Sequence, residues 1–405
     1  MIKRKFIACS ILSMILLMNL AAITVADEDY GAKQSVTNST GKQWTLMFYD
    51  DADFYMAFDP LDWFASESFS SENINVLVLQ DKEHDPATLW YIDENHSKIP
   101  MYKMGEINMG NYTTLRDFIA YCKNNFSAQR YMIFFYDHGG GWMGACLDNT
   151  SNNDWLTMDE IQQALTETGG VDVVCFSAPC LMGSVESAYE LRNCTEIYIG
   201  SEETSGYVYW ENIIGDICAL IDYDTDISNV DLGKEIIDMI KKNLFENFFN
   251  MMYRQGLRMV TMSAIDTSKM ETVALSIDQL SKGLISKVND SRFRIKLIHD
   301  LTQSFPPKFS MLRIKKTCFD VYDFSKKCYH FFPLDKEISS AAKKVMESID
   351  NAVIANLKGI RHPQAHGLTI YFPPKLTYYD ATYTTSNLDF TNTTHWDEFL
   401  ALYLS

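Results

Sequence analysis

The chain has 405 residues, 47% of them hydrophobic and 22% charged. That composition builds one large core or two ordinary ones, and it excludes a disordered chain, a coiled coil and a multi-span membrane protein. With 53 acidic and 35 basic residues the net charge is −18, which repels phosphate backbones, excludes nucleic acid as a partner, and suits an exported protein that stays soluble or binds cations.

The N-terminus carries Lys3, Arg4 and Lys5, an apolar run from Phe6 to Val25, and Thr24-Val25-Ala26 in the position of a cleavage site. Residues 1–26 read as a signal peptide, with an uncleaved membrane anchor as the alternative. Residues 27–43 are polar and read as a linker. Asn38, Asn95, Asn111, Asn125, Asn149, Asn193, Asn289 and Asn392 each open an Asn-X-Ser/Thr triplet, a frequency that fits a secreted or surface-exposed protein.

Short apolar runs then alternate with helical patterns. Trp44–Tyr49, Asn75–Leu79, Tyr131–Tyr136, Val171–Phe176, Glu196–Gly200 and Arg258–Ala264 read as strands, and Thr88–Ile92 as a hairpin arm. Helical spacing marks Tyr112–Cys122, a helix opened by the capping box Thr157-Met-Asp-Glu160, Leu181–Leu191 and Asp231–Phe249. Residues 142–155 read as a long polar loop. The alternation predicts an α/β domain over 44–266 with a mostly parallel sheet covered on both faces. Beyond it, helical stretches over 267–287, 291–303 and 335–358 and the apolar run Gly367–Phe372 predict an α+β region over 267–405.

Chemistry concentrates just past the strand ends, where open α/β sheets bind their ligands. Asp137-His138-Gly139-Gly140-Gly141-Trp142 follows one strand, and Ser177-Ala178-Pro179-Cys180 follows the next. The first is either a glycine-rich turn with a hydrogen-bonded histidine or an imidazole facing a ligand. Cys180 opens a helix-like segment, where the helix dipole would favour its thiolate. Cys175, inside its apolar run, reads as structural. If the two strands are neighbours, Cys180 is a nucleophile, His138 its proton partner, and the N–H groups of Gly139 and Cys180 an oxyanion hole. Outside the leader the cysteines are Cys122, Cys146, Cys175, Cys180, Cys194, Cys218, Cys318 and Cys328, with no CxxC pair. That argues against zinc, a redox motif and a dense disulfide scaffold.

These segments make the chain resemble the clostripain family of cysteine peptidases. The matching stretches are Trp44–Tyr49, Tyr136-Asp-His-Gly-Gly-Gly-Trp142, Leu156–Ile161, Cys180-Leu-Met-Gly-Ser184 running on to Leu191, Ser201-Glu-Glu-Thr204, Phe319–Phe324 and His366–Pro373. The resemblance spans about residues 44–400. It implies a caspase-like three-layer sandwich, a Cys180–His138 dyad, peptide or protein substrates, and calcium as a cofactor to be considered, though not one the chemistry requires.

One departure bears on specificity. The family carries an aspartate two residues before the nucleophile that selects Arg or Lys, whereas here Ser177 and Ala178 lie three and two residues before it. Glu202 and Glu203, past the next strand, are candidates to replace that charge or else form an acidic loop. No Lys or Arg occurs between Arg130 and Arg192, so self-cleavage after a basic residue cannot occur there. Asp50, Asp51, Asp53, Asp148 and Asp154 offer oxygens for calcium, with no ligand set assigned. A binding protein of the same fold that takes peptide or glycan without turnover is the competing reading. A transpeptidase would need the same dyad, and oligomeric state is not readable.

Overall fold

The computed structural model describes residues 41–53, 59–210, 212–305 and 317–405. The leader expected at 1–26 and all but the last residues of the linker lie outside the described residues. Among the described residues no helix is long and apolar enough to cross a membrane.

Fourteen strands are described: β1 (Lys42–Asp51), β2 (Ile74–Lys82), β3 (Asp85–Ile92), β4 (Lys98–Lys103), β5 (Ala128–Tyr136), β6 (Ala145–Asp148), β7 (Asp154–Leu156), β8 (Val171–Phe176), β9 (Thr195–Ser201), β10 (Thr261–Asp266), β11 (Ser304–Phe305), β12 (Cys318–Asp320), β13 (Val353–Lys358) and β14 (Thr369–Tyr371). Nine form one sheet in the order β13-β10-β9-β8-β5-β1-β2-β3-β4. The five central strands, β9 to β2, run parallel, while the flanking pairs are antiparallel. β1 is buried from Thr45 to Asp51, as a central strand covered on both faces should be. Trp44, Leu46 and Phe48 face one helical layer, together with Met132 and Phe134 of β5. Phe48 and Phe134 are register partners and their rings stack at 4.5 Å. That layer holds helices Pro60–Glu67, Ile213–Tyr223 and Asn229–Glu246. On the other face Tyr49 meets Phe118 of helix Tyr112–Asn125 at 6.1 Å.

The chain steps from β1 to β2 on one side, then to β5, β8 and β9 on the other. The switch between β1 and β5 opens a crevice beyond their carboxyl ends. Asp50 and Asp51 end β1 and His138 follows β5, so both reach this crevice.

The structure differs from four sequence expectations. Residues 335–358 are not one helix: Lys336–Ala352 is helical, and Val353–Lys358 becomes β13, pairing with β10. An exposed sheet edge offers Val353 and Ile354 a ladder that suits β-branched residues. Residues 267–287 and 291–303 fall in one helix, Met270–Leu301, bent at Ser291 (φ −130°). Arg258 ends a helix, Met251–Met259, rather than opening β10. The polar stretch 142–155 is a short turn followed by the β6–β7 hairpin.

Candidate active site

β5 and β8 are parallel neighbours with Phe135 opposite Phe176, so the loops that follow them leave side by side. Ser177 ties them together, its N–H and Oγ both donating to the Phe135 carbonyl at 3.2 and 2.8 Å. The loops then touch. A Cβ built on Gly139 would lie 2.4 Å from the Cys180 carbonyl oxygen and 2.7 Å from its nitrogen. Gly141 has φ +64°, and a Cβ there would lie 3.1 Å from the Leu181 carbonyl oxygen. Backbone rests on backbone, which only glycine allows. The contact brings the His138 and Cys180 loops to one place. Among the described residues no acceptor takes the N–H of Gly139 or of Cys180.

The helix expected from Leu181 starts four residues later. Helix Val185–Glu190 is capped by Ser184, and Cys180–Gly183 form a turn. Leu181 is left-handed (φ +63°), held by its N–H to the Glu203 carbonyl at 3.0 Å, and Gly183 N–H reaches the Ser201 carbonyl at 2.8 Å. A bulky residue in that conformation costs about 1–3 kcal/mol, a strain that clusters at functional sites. Cys180 therefore gains no help from a helix N-terminus. Burial pushes its thiol up to about 11, with the Glu203 and Asp137 carboxylates adding to the rise. Burial also pushes the His138 imidazole below its ordinary value. Both shifts disfavour the charged forms, against the thiolate expected from sequence.

The Cys180 sulfur lies 3.9 Å from the Ser205 carbonyl and 4.0 Å from that of Ala178, and the residue packs against Leu181, Phe305, Cys318 and Ala365. Ser205 Oγ donates to the Ser177 carbonyl at 2.7 Å. Ser177 is buried and tied to β5, and Ala178 packs on the apolar core, so neither presents a polar group to the cleft.

The two glutamates separate. Glu202 accepts the Gly367 N–H at 3.0 Å and lies against Asp320, which accepts the His366 and Asp323 N–H groups. It holds a turn. Glu203 is buried with an oxygen 3.6 Å from His362 Nε2, and its charge acts on both Cys180 and the Tyr209 hydroxyl. His362, Tyr209 and Ser205 had no sequence signal, since no motif or shared spacing ties these positions to Cys180. The eight cysteines of the described residues are unpaired.

The Asp137 carboxylate accepts the His138 backbone N–H. Its Oδ2 accepts the Leu147 N–H at 2.6 Å, while Cys146 N–H donates to the His138 carbonyl at 2.9 Å. Both bonds fasten the β6–β7 hairpin to the histidine loop. Of the acidic residues considered for calcium, Asp50 accepts from Gln80 and Asp154 accepts from Asn108 at the surface. Asp53 and Asp148 converge with Glu106, each able to place an oxygen within 4.8 Å of the others. This oxygen set fits a hard cation, which would supply charge neutralisation there.

Residues 50–403 match the model of the clostripain family, peptidase family C11. The chain is 23% identical to clostripain of Hathewaya histolytica over an alignment covering 91% of this chain and 82% of that protein. It superposes with a TM-score of 0.63 on an inactive zymogen C11 protease from Parabacteroides distasonis, at 16% identity, covering 87% of this chain and 98% of that one. A secreted C11 cysteine protease from Bacteroides thetaiotaomicron, in complex with an irreversible peptide inhibitor, superposes at 0.62 and 16% identity, covering 88% and 100%. The fold is the caspase-like α/β sandwich of these neighbours.

Proposed function

From the premise that the chain belongs to the clostripain family of cysteine peptidases, we propose that it is an exported endopeptidase with Cys180 as nucleophile and His138 as its proton partner. The contact of the Gly139 backbone with that of Cys180 carries this reading. It joins the two loops and leaves two N–H donors side by side.

The chemistry follows from that preference for the uncharged forms. A peptide carbonyl docks against the N–H groups of Gly139 and Cys180. As Cys180 Sγ attacks the carbon, its proton passes to His138, so no standing thiolate is needed. The negative charge that grows on the carbonyl oxygen meets the two donors. The tetrahedral adduct collapses when His138 returns the proton to the leaving amine, giving a Cys180 thioester. Water, deprotonated by His138, releases the acid and restores the thiol.

Specificity rests on Glu203 rather than on the Ser177–Ala178 segment. Ala178 supplies no carboxylate, whereas the Glu203 charge acts on the Cys180 thiol, with His362 Nε2 3.6 Å from its carboxylate. A buried carboxylate already engaged by a neighbouring histidine selects basic side chains weakly, which supports a preference broader than Arg or Lys. Residues 44–266 form the catalytic part in this reading, and 267–405 supply Phe305, His362 and Ala365 around it. The leader-like N-terminus and the secreted relative from B. thetaiotaomicron support export.

The test uses the chain from residue 27 and a diverse fluorogenic peptide library, against Cys180→Ala. Turnover lost in the variant supports a cysteine peptidase. No turnover by the unsubstituted chain, with no selective alkylation of Cys180, would support a binding protein instead.

A further inference from the structure

The turn between helices Asn229–Glu246 and Met251–Met259 carries more apolar surface than the fold uses. The first helix already buries a stripe of Leu232, Ile236, Ile237, Ile240 and Leu244, and the second is seated by Tyr253 and Gly256. Phe245, Phe248, Phe249, Met251 and Met252 fall outside those faces and are exposed, Phe249 at 95%. The Phe248 and Phe249 rings meet each other edge to face at 6.1 Å. Exposed apolar residues scattered singly need no explanation, but a run of them in one turn is a patch that marks an interaction site.

The patch is the apex of a packed helical hairpin. A Cβ on Gly256 would lie 3.0 Å from side-chain atoms of both Leu244 and Val208, and 3.1 Å from Tyr209. Leu244 and Gly256 thus oppose each other across the turn, and residues 245–252 form its outer end. An apex is convex, so it offers no groove to a peptide and suits a soft surface that it can enter.

Charge around the apex runs against that of the whole chain. The protein carries −18, yet between Met239 and Val260 the basic residues Lys241, Lys242, Arg254 and Arg258 stand against a single acid, Glu246. Lys241, Lys242 and Arg254 are exposed. Lys241 and Lys242 lie one to two turns before the phenylalanines, roughly 5–10 Å along the helix. An apolar face with basic flanks binds a bilayer by sinking about 5–10 Å into the boundary between headgroups and acyl chains. Side chains at this spacing therefore reach acyl chains and lipid phosphates together. The acids elsewhere do not cancel the attraction, because physiological salt screens charge beyond about 8 Å.

We propose that residues 245–252 dock the protein on an anionic lipid surface, with the phenylalanines and methionines among the acyl chains and Lys241, Lys242 and Arg254 on the headgroup phosphates. Helix Met251–Met259 rests on Tyr209, whose hydroxyl feels the charges of Glu203 and Cys180. Docking therefore sets how the cleft approaches the surface. That consequence rests on the peptidase reading; the lipid binding itself does not.

The experiment uses the chain from residue 27 carrying Cys180→Ala, so that its outcome is independent of turnover. Co-flotation is measured with vesicles of phosphatidylcholine alone and of equal parts phosphatidylcholine and phosphatidylglycerol. The expected result is binding to the anionic vesicles, about tenfold or more weaker on phosphatidylcholine and weakened by added salt. Phe248→Ser with Phe249→Ser, at exposed positions, lowers that binding about tenfold or more with an unchanged melting temperature. Lys241→Gln with Lys242→Gln lowers it about fivefold or more. No binding to anionic vesicles at millimolar lipid would overturn the proposal, as would undiminished binding by the double phenylalanine variant. A lipid-free dimer in sedimentation that the same variant dissociates would also overturn it, assigning the patch to a second copy of the chain.

Discussion

Two groups of buried acids lie on either side of the Cys180 loop, and they are built on different principles. On the β9 side, Asp320 sits at full burial with backbone donors on both oxygens, from residues 323 and 366, and Glu202 beside it takes the N–H of residue 367 on one oxygen. On the β1 side, Asp51 is equally buried and no donor reaches it. A satisfied buried carboxylate is part of the scaffold, whereas an unsatisfied one is a reason to look for a ligand. Between the two groups lies the contact of Gly139 with Cys180, made of backbone and independent of charge.

The largest effect is expected at that contact. Gly139→Ala places a methyl 2.4 Å from a carbonyl oxygen that cannot move without its turn. It should lower kcat/KM on a peptide substrate by about a hundredfold or more, because misplacing reacting groups by an ångström costs that much, with little change in far-UV circular dichroism. Unchanged turnover would mean that the two loops do not meet at the reacting atoms.

Next come opposite signs from the two acidic groups. Asp320→Ala orphans at least two backbone N–H groups and should cost about 2–4 kcal/mol of unfolding free energy by urea melts. Burial and the carboxylates of Asp137, Asp53, Asp148 and Asp50 push the Asp51 carboxyl well up, so folding at neutral pH must keep it protonated, and Asp51→Asn, which needs no proton, should stabilise by about 1–2 kcal/mol at pH 7. Destabilisation of similar size at both positions would erase the distinction drawn between them.

A smaller effect concerns pH. Glu186 is buried beneath β14, accepting from the Tyr371 N–H at 2.8 Å and the Tyr383 hydroxyl at 3.0 Å, and burial raises its carboxyl to about 7. The folded state then holds a proton that the unfolded state releases near 4.5. Stability from this group is complete below that pH and is lost as pH rises towards about 7, by roughly 3 kcal/mol. Glu186→Gln keeps an acceptor without the charge, so it should flatten the melting temperature between pH 5 and 8. A slope unchanged by the substitution would place the proton elsewhere.

The smallest effect is on selectivity. Glu203→Gln should reduce the ratio of cleavage after Lys or Arg to cleavage after Leu by about three- to tenfold, read on paired fluorogenic peptides. By mass spectrometry, active preparations should show the chain between residues 130 and 192 either intact or cut after a non-basic residue, since no Lys or Arg occurs there.

Much of this arrangement was legible from the residues. β1, β5, β8 and β9 are short apolar runs that stop at charged or small residues, a pattern with few alternatives in a chain of this length. His138 with three glycines and Cys180 after a strand stood out because catalytic groups at strand ends need open backbone. The helix at Cys180 was misjudged for a physical reason. Leu181, Met182 and Val185 carry helical spacing, but Gly183 packs against the backbone of residues 201 and 202 and pulls the segment into a turn. That pull comes from β9, which local spacing does not report.

The sequence alone determined the α/β class, the family and the absence of a carboxylate at Ala178, and it nominated Cys180 and His138, because each is written in local pattern or composition. Tertiary structure decided which glutamate lies against His362, and that burial raises the Cys180 thiol where a helix N-terminus would have lowered it. It also separated Asp51 from Asp154, two acids alike in sequence, by burying one without partners and bonding the other at the surface. Those outcomes depend on burial and on donors from segments far apart in the chain, and no local pattern carries either.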